Sequence, residues 1–157
     1  MTDDAGVPGG ESPAAMARRI LAANDYLILA TADGDGRPWA TPVWYAPADC
    51  DEFFWVSRPD ARHSRNIAVR PAVAIAIFDS TVPIGGATAV YVEAVAGEVE
   101  AADRAAALAV FSGRLEQRGS AAWPETDVTA PAPHRLYRAR ASQVYVLGDG
   151  DRRVAVT

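Results

Sequence analysis

The chain has 157 residues, half of them hydrophobic and 22% charged, with a formal net charge of −5. That is enough for one core-forming domain of ordinary globular composition, and no apolar run approaches the roughly 20 residues that a membrane helix needs. A lone cysteine, Cys50, excludes an internal disulfide and a cysteine-rich zinc site.

Residues 1–12 are acidic and rich in Gly and Pro, so they are expected to form a disordered tail. They lack the basic flank and apolar stretch of a signal peptide, which makes the cytoplasm the expected location. Residues 13–157 read as a single domain. Ser12 followed by Pro13 is a helix start, Ser as N-cap and Pro at the first helical position, and the helix runs through "PAAMARRILAAN". "YLILATA" (26–32) is a strand, "DGDG" a turn, and "RPWATPVWYA" (37–46) the returning strand. Pro38 and Pro42 within that strand point to an edge or an irregular ladder. "EFFWVS" (52–57) is a third strand, and a short helix from about Asp60 to Val69 is closed by Pro71. "AVAIAIFDS" (72–80) and "ATAVYVEAVAGEVE" (87–100) are strands. "AADRAAALAVFSGRLEQRG" (101–119) is an Ala-rich helix with Leu108, Phe111 and Leu115 on one face and Gly119 at its end. "HRLYRARA", "QVYVLGD" and "RRVAV" read as three short strands. Mostly antiparallel strands with few helices point to a mainly β, barrel-like α+β domain.

The charge is unevenly spread. No lysine is present, and "SRPDARHSRNIAVRP" (57–71) holds Arg58, Arg62, Arg65 and Arg70 against Asp60 alone, so this segment carries +3 and the remainder −8. With Asp60 as N-cap, Arg62 and His63 fall in the first turn of the helix. Cations are disfavoured there by about 0.3–1 kcal/mol each, unless an anion sits among them. A phosphate would turn that repulsion into attraction, through the helix end, the guanidinium fork and the imidazole N–H. The alternative is a solvated basic helix. Nucleic acid is an unlikely source of the phosphate for an acidic domain whose basic cluster is one short helix. Trp44, Tyr45 and Trp55 lie on the strands just before it, where aromatic side chains suit a flat heterocycle as well as a core. With only His63 and His134 present, a multi-histidine metal site is not expected.

In their order and spacing, "DGDGRPWATPVWYA", "FFWVS", "ARHSRNIAVRP", "VAIAIFDS" and "VYVEAVAGEVE" resemble the pyridoxamine 5′-phosphate oxidase-like, FMN-binding split-barrel family. The resemblance runs from about Tyr26 to Glu100, with a weaker echo through "HRLYRA" and "VYVLGD". It implies an antiparallel split β-barrel with a few short flanking helices. It also implies a homodimer with a flavin site at the subunit interface. The backbone at Thr41, Pro42, Val43 and Trp44 would follow the isoalloxazine ring, and Trp55, Val56 and Ser57 would border the ring and ribityl chain. Arg62 and His63 match the basic pair, usually Arg-Lys, that holds the FMN phosphate. Arg65 and Asn66 fall on the family's "RN".

Two departures bear on activity. His63 stands where Lys is usual, and a position that often carries Gln falls on Ala89. The C-terminal pattern of the vitamin B6 oxidases is missing: Tyr145 stands where Trp is familiar, and the last residues hold no His. The resemblance therefore implies an FMN-dependent oxidoreductase passing hydride to or from a small organic substrate other than a B6 vitamer, with no catalytic side chain assigned. Two alternatives share the fold: a reductase using a deazaflavin coenzyme, with Arg58 and Arg65 serving its longer anionic tail, and a non-catalytic protein that holds flavin or haem.

Overall fold

The structure is a computed structural model describing residues 7–157. The first half of the expected tail, residues 1–6, lies outside the described residues. Val7 is buried against the core, and a 3-10 turn at Pro8–Gly10 leads to Ser12. Ser12 caps α1 (Pro13–Ala23), its Oγ accepting from the Ala15 N–H at 3.2 Å.

Eight strands form one antiparallel sheet. They are β1 (Tyr26–Ala32), β2 (Pro38–Trp44), β3 (Ala46–Ala48), β4 (Glu52–Ser57), β5 (Ala72–Phe78), β6 (Ala89–Glu98), β7 (Arg135–Leu147) and β8 (Arg153–Ala155). Their spatial order is β2-β1-β5-β6-β7-β4-β3, with β8 paired to β7. β2 and β3 are the two ends of that path, yet only Tyr45 separates them in the chain. A sheet whose ends are one residue apart must curl until they meet, and this produces the expected split barrel. Tyr45 is fully buried and donates its hydroxyl to the Leu21 carbonyl at 3.0 Å, which fixes the closing point against the end of α1.

Alternation sets which face looks inward. Leu27 and Leu29 of β1, Val73, Ile75 and Ile77 of β5, and Val90 and Val92 of β6 fill the interior, and Met16, Ala17, Ile20 and Leu21 of α1 plug one end. β7 is the exception. Tyr137 and Ala139 point inward at odd positions, Val144 and Val146 at even ones. A bulge causes the switch: Ala94 pairs with Ala141 and Glu93 with Gln143, leaving Ser142 as the extra residue. That change of parity makes a single 13-residue strand read as two short ones in the sequence, and the two expected pieces are corrected to β7.

β4 is covered on both sides. Phe53 and Trp55 face the interior, while Phe54 joins Leu108, Phe111, Val128 and Leu136 in a second cluster beneath α3 (Ala101–Gln117). α3 ends as its glycine suggests. Gly119 has φ +77°, and the N–H groups of Gly119 and Ser120 return to the Glu116 and Leu115 carbonyls. The short helix α2 (Arg62–Val69) lies beside β1, tied to it by the buried Asn66 amide, which donates to Thr31 Oγ1 at 3.0 Å.

Candidate functional site

β2, β4, α2, α3 and the loop before β7 converge on a cleft of about 410 Å³. β2 contributes Pro42, Val43 and Trp44; β4 contributes Val56 and Ser57; α2 contributes His63. The wall opposite holds Phe111 and Leu115 of α3, and Trp123 and His134 of the loop. Trp44 meets Phe111 edge-on at 5.2 Å between ring centroids, Phe111 meets Trp123 at 6.4 Å, and Trp123 meets His134 at 5.5 Å. Such edge-to-face contacts hold aromatic walls in fixed orientations. Among the described residues, no carboxylate lines the cleft; its side-chain polar groups are the Ser57 hydroxyl, the His63 and His134 imidazoles and the Trp44 and Trp123 indoles.

Ser57 and His63 are joined directly, Oγ to Nε2 at 2.7 Å. Burial alone lowers the His63 pKa, since desolvation penalises the imidazolium. The ring is therefore neutral at physiological pH unless an anion arrives beside it.

The start of α2 departs from the sequence reading. Asp60 is not the N-cap: Ala61 occupies that place, with no side-chain cap. The Asp60 carboxylate instead takes both guanidinium arms of Arg58, at 3.0 and 3.3 Å, and its backbone carbonyl accepts from Arg65. Proline at position 59 and the two-residue reach of Arg58 favour that local pair over the cap. The first-turn N–H groups of α2 thus have no side chain over them, and the positive end of the helix stays open.

Of the eleven residues expected at a cofactor, Pro42, Val43, Trp44, Val56, Ser57 and His63 line the cleft, and Thr41, Trp55, Arg62, Arg65 and Asn66 do not. The Trp55 indole lies inside the barrel, fully buried and stacked on Tyr137 at 5.9 Å and 13° between planes. Inward parity on β4 explains this, since Trp55 follows Phe53 by two. Arg62 is exposed and lies over the Trp39 indole, 4.4 Å from the ring centre. Asn66 is spent on the α2–β1 contact. Four lining residues were not expected there. Phe111 and Leu115 were legible as a helix face but not as part of a site, while Trp123 and His134 sit in a loop of Pro and Ala that carries no period.

The outer face of β1, β5, β6 and β7 is a separate feature. Ile28, Ala30, Ala74, Ala76, Tyr91 and Tyr145 border a shallow hollow of about 420 Å³, and the Arg153 guanidinium lies 3.9 Å over the Tyr91 ring. Phe78 and Val95, on the same two central strands, are about half exposed. Among the described residues, no helix is long and apolar enough to cross a membrane, and no cluster of three metal-binding side chains occurs.

Comparison with known proteins agrees with this architecture. The family profile described as pyridoxamine 5′-phosphate oxidase matches residues 14–148. Among solved structures, a haem-binding protein from Mycobacterium smegmatis is 26% identical with a TM-score of 0.72; the alignment covers 94% of this chain but only 58% of that one. HutZ, the haem storage protein of Vibrio cholerae, is 23% identical over 82% of this chain and 89% of its own, with a TM-score of 0.63. An FAD-binding protein from Mesorhizobium loti is 23% identical over 83% of this chain and 90% of its own, with a TM-score of 0.62. No curated protein matches the chain in sequence.

Proposed function

From the premise that the chain belongs to the pyridoxamine 5′-phosphate oxidase family, we propose that it is an FMN-dependent oxidoreductase acting on a small organic substrate. One observation carries the reading. Six residues expected around a flavin, drawn from β2, β4 and α2, line a single aromatic cleft beside an open helix end.

The residues fit the group in chemistry as well as in place. An apolar cleft walled by Trp44, Phe111 and Trp123, with no carboxylate, suits a flat ring. The uncapped start of α2, with Arg62 and His63 in its first turn, suits a phosphate. When bound, the flavin accepts or returns a hydride. The protein's part would be to hold the group with Pro42, Val43, Trp44 and Phe111, to exclude water with the aromatic wall, and to offer the Ser57 hydroxyl and His63 imidazole as donors. Tyr145, standing where Trp is familiar in the vitamin B6 oxidases, supports a substrate other than a B6 vitamer.

A second copy of the chain is the proposed partner, docked through the outer sheet face. Ala30, Ala74 and Ala76 leave that face flat, with Tyr91 and Tyr145 at the rim. A two-fold assembly presents the same patch twice.

One observation favours a second reading, haem in place of flavin. Both histidines of the chain line the cleft, and the Mycobacterium smegmatis protein to which the chain is similar binds haem. The deazaflavin alternative gains nothing comparable, since Arg58 is already paired with Asp60. The absorption spectrum of the purified protein separates the three. Two visible flavin bands bleached by a nicotinamide donor are expected. A Soret band would replace the proposal with haem, and a lone near-ultraviolet band with a deazaflavin. Flavin bands that no reductant bleaches would leave a binding protein.

A further inference from the structure

His134 has no place in the family resemblance, yet strand register brings its backbone beside the end of β4, and its side chain lines the same cleft as His63. Ser57, the last residue of β4, pairs directly with Arg135, the first of β7. Antiparallel partners lie about 5 Å apart, and His134 is the next residue along. On the other side, the Ser57 hydroxyl is 2.7 Å from His63 Nε2. Ser57, His63 and His134 all line the one cleft, His63 from α2 and His134 from the loop before β7 on the facing wall.

The loop holds His134 in place. Arg135 folds back and donates Nη1 to the carbonyls of both Ala132 and His134, each at 2.6 Å, and pairs with Glu98 at 3.6 Å. The imidazole leans edge-on against Trp123, and among the described residues its ring nitrogens have no hydrogen-bond partner. A donor on a fixed backbone, partly exposed in the lining of an apolar cleft, is pre-organised for a ligand rather than for the fold.

We propose that His134 is a second phosphate donor, forming with Ser57 and His63 a two-histidine clamp that takes over the work of the lysine usual in this family. The inference rests on the flavin reading above. It accounts for the departure at position 63: a lone neutral imidazole is a weaker anion ligand than an ammonium, and a second imidazole facing the same cleft makes up the difference.

The test is a fluorescence titration of apoprotein with FMN and with riboflavin, which differ only in the phosphate. His134→Ala and His134→Phe are each expected to weaken FMN about tenfold and leave riboflavin within about twofold. His134→Gln, which keeps a donor, should retain most FMN affinity. Far-ultraviolet dichroism and melting of each apoprotein report folding, and the Phe and Gln pair carries the test if the Ala variant is unstable. The clamp is overturned if His134→Phe binds FMN like the wild type, since the ring then serves only to pack on Trp123. Equal weakening of FMN and riboflavin also overturns it, because His134 would then touch the ring. Failure of the underlying reading looks different: wild-type protein would bind neither ligand, or would bind both equally.

Discussion

Arg62 and His63 are adjacent, but the structure gives them different work. Arg62 is exposed over Trp39, free to turn toward an anion at the start of α2. Removing a charge-assisted contact costs about 1.5–3 kcal/mol, so Arg62→Ala should lower FMN affinity about 10- to 100-fold. A variant that purifies with full cofactor would remove Arg62 from the site. His63 is held neutral by burial, and its Ser57 partner stabilises no particular charge. A bound phosphate reverses that preference, so FMN binding takes up a proton and weakens as pH rises above neutrality. The FMN phosphate gains charge over part of the same range, so the comparison is with His63→Lys. The wild-type dissociation constant should grow relative to that variant between mildly acid and mildly alkaline pH. In the free protein the linkage has the opposite sense. A folded-state pKa below the ordinary His value means that the contribution to stability is complete above about pH 6.5 and lost as pH falls through the lowered value. Asp60 shows the limit of sequence reading at this scale. Residue type and position suggested a cap, but an arginine two residues away competed for the same carboxylate and won.

At the scale of elements, most of the strands were legible because their inward residues alternate without a break: β1 and β4 have the ends that the sequence suggested. β7 was not, because the bulge at Ser142 reverses the parity that defines a strand in sequence. The cleft was half legible. Its β2, β4 and α2 side follows an ordered motif, and its α3 and loop side depends on packing that no local pattern announces. One such packing joint ties α1 to α3. Arg114 donates Nη2 to the carbonyls of Leu21 and Asn24 at 3.0 and 2.7 Å, supplying partners that the end of α1 lacks, and its guanidinium lies 5.1 Å over the Tyr45 ring. Its side chain is 11% exposed, against 39% for Arg118, which pairs with Asp25 at 2.7 Å. Arg114→Ala takes the side-chain donor from the Asn24 carbonyl, leaves the Leu21 carbonyl to Tyr45 alone, and should destabilise the fold by about 1–3 kcal/mol. Arg118→Ala should cost under about 1 kcal/mol. Urea unfolding of the two variants measures the difference, and equal losses would show that Arg114 is not a structural clasp.

At the scale of the molecule, the outer sheet face is the test of assembly. An arginine side chain in place of Ala76 would hold two such faces apart by its bulk, whatever pairing the Glu93 carboxylate on the same face offers it. Ala76→Arg should therefore convert a dimer to a monomer in sedimentation while leaving the melting of the isolated fold near that of the parent. A monomeric wild type, or a dimer indifferent to this change, would move the contact elsewhere. The way the sheet closes also limits where any contact falls. Its terminal strands carry Pro38, Pro42 and Pro47, residues without an N–H to offer a neighbouring strand. Those strands are also turned toward each other by the single residue between them. These two strand ends thus offer another chain few hydrogen-bonding groups, which favours side-chain faces over backbone ladders as the means by which this protein meets its own kind.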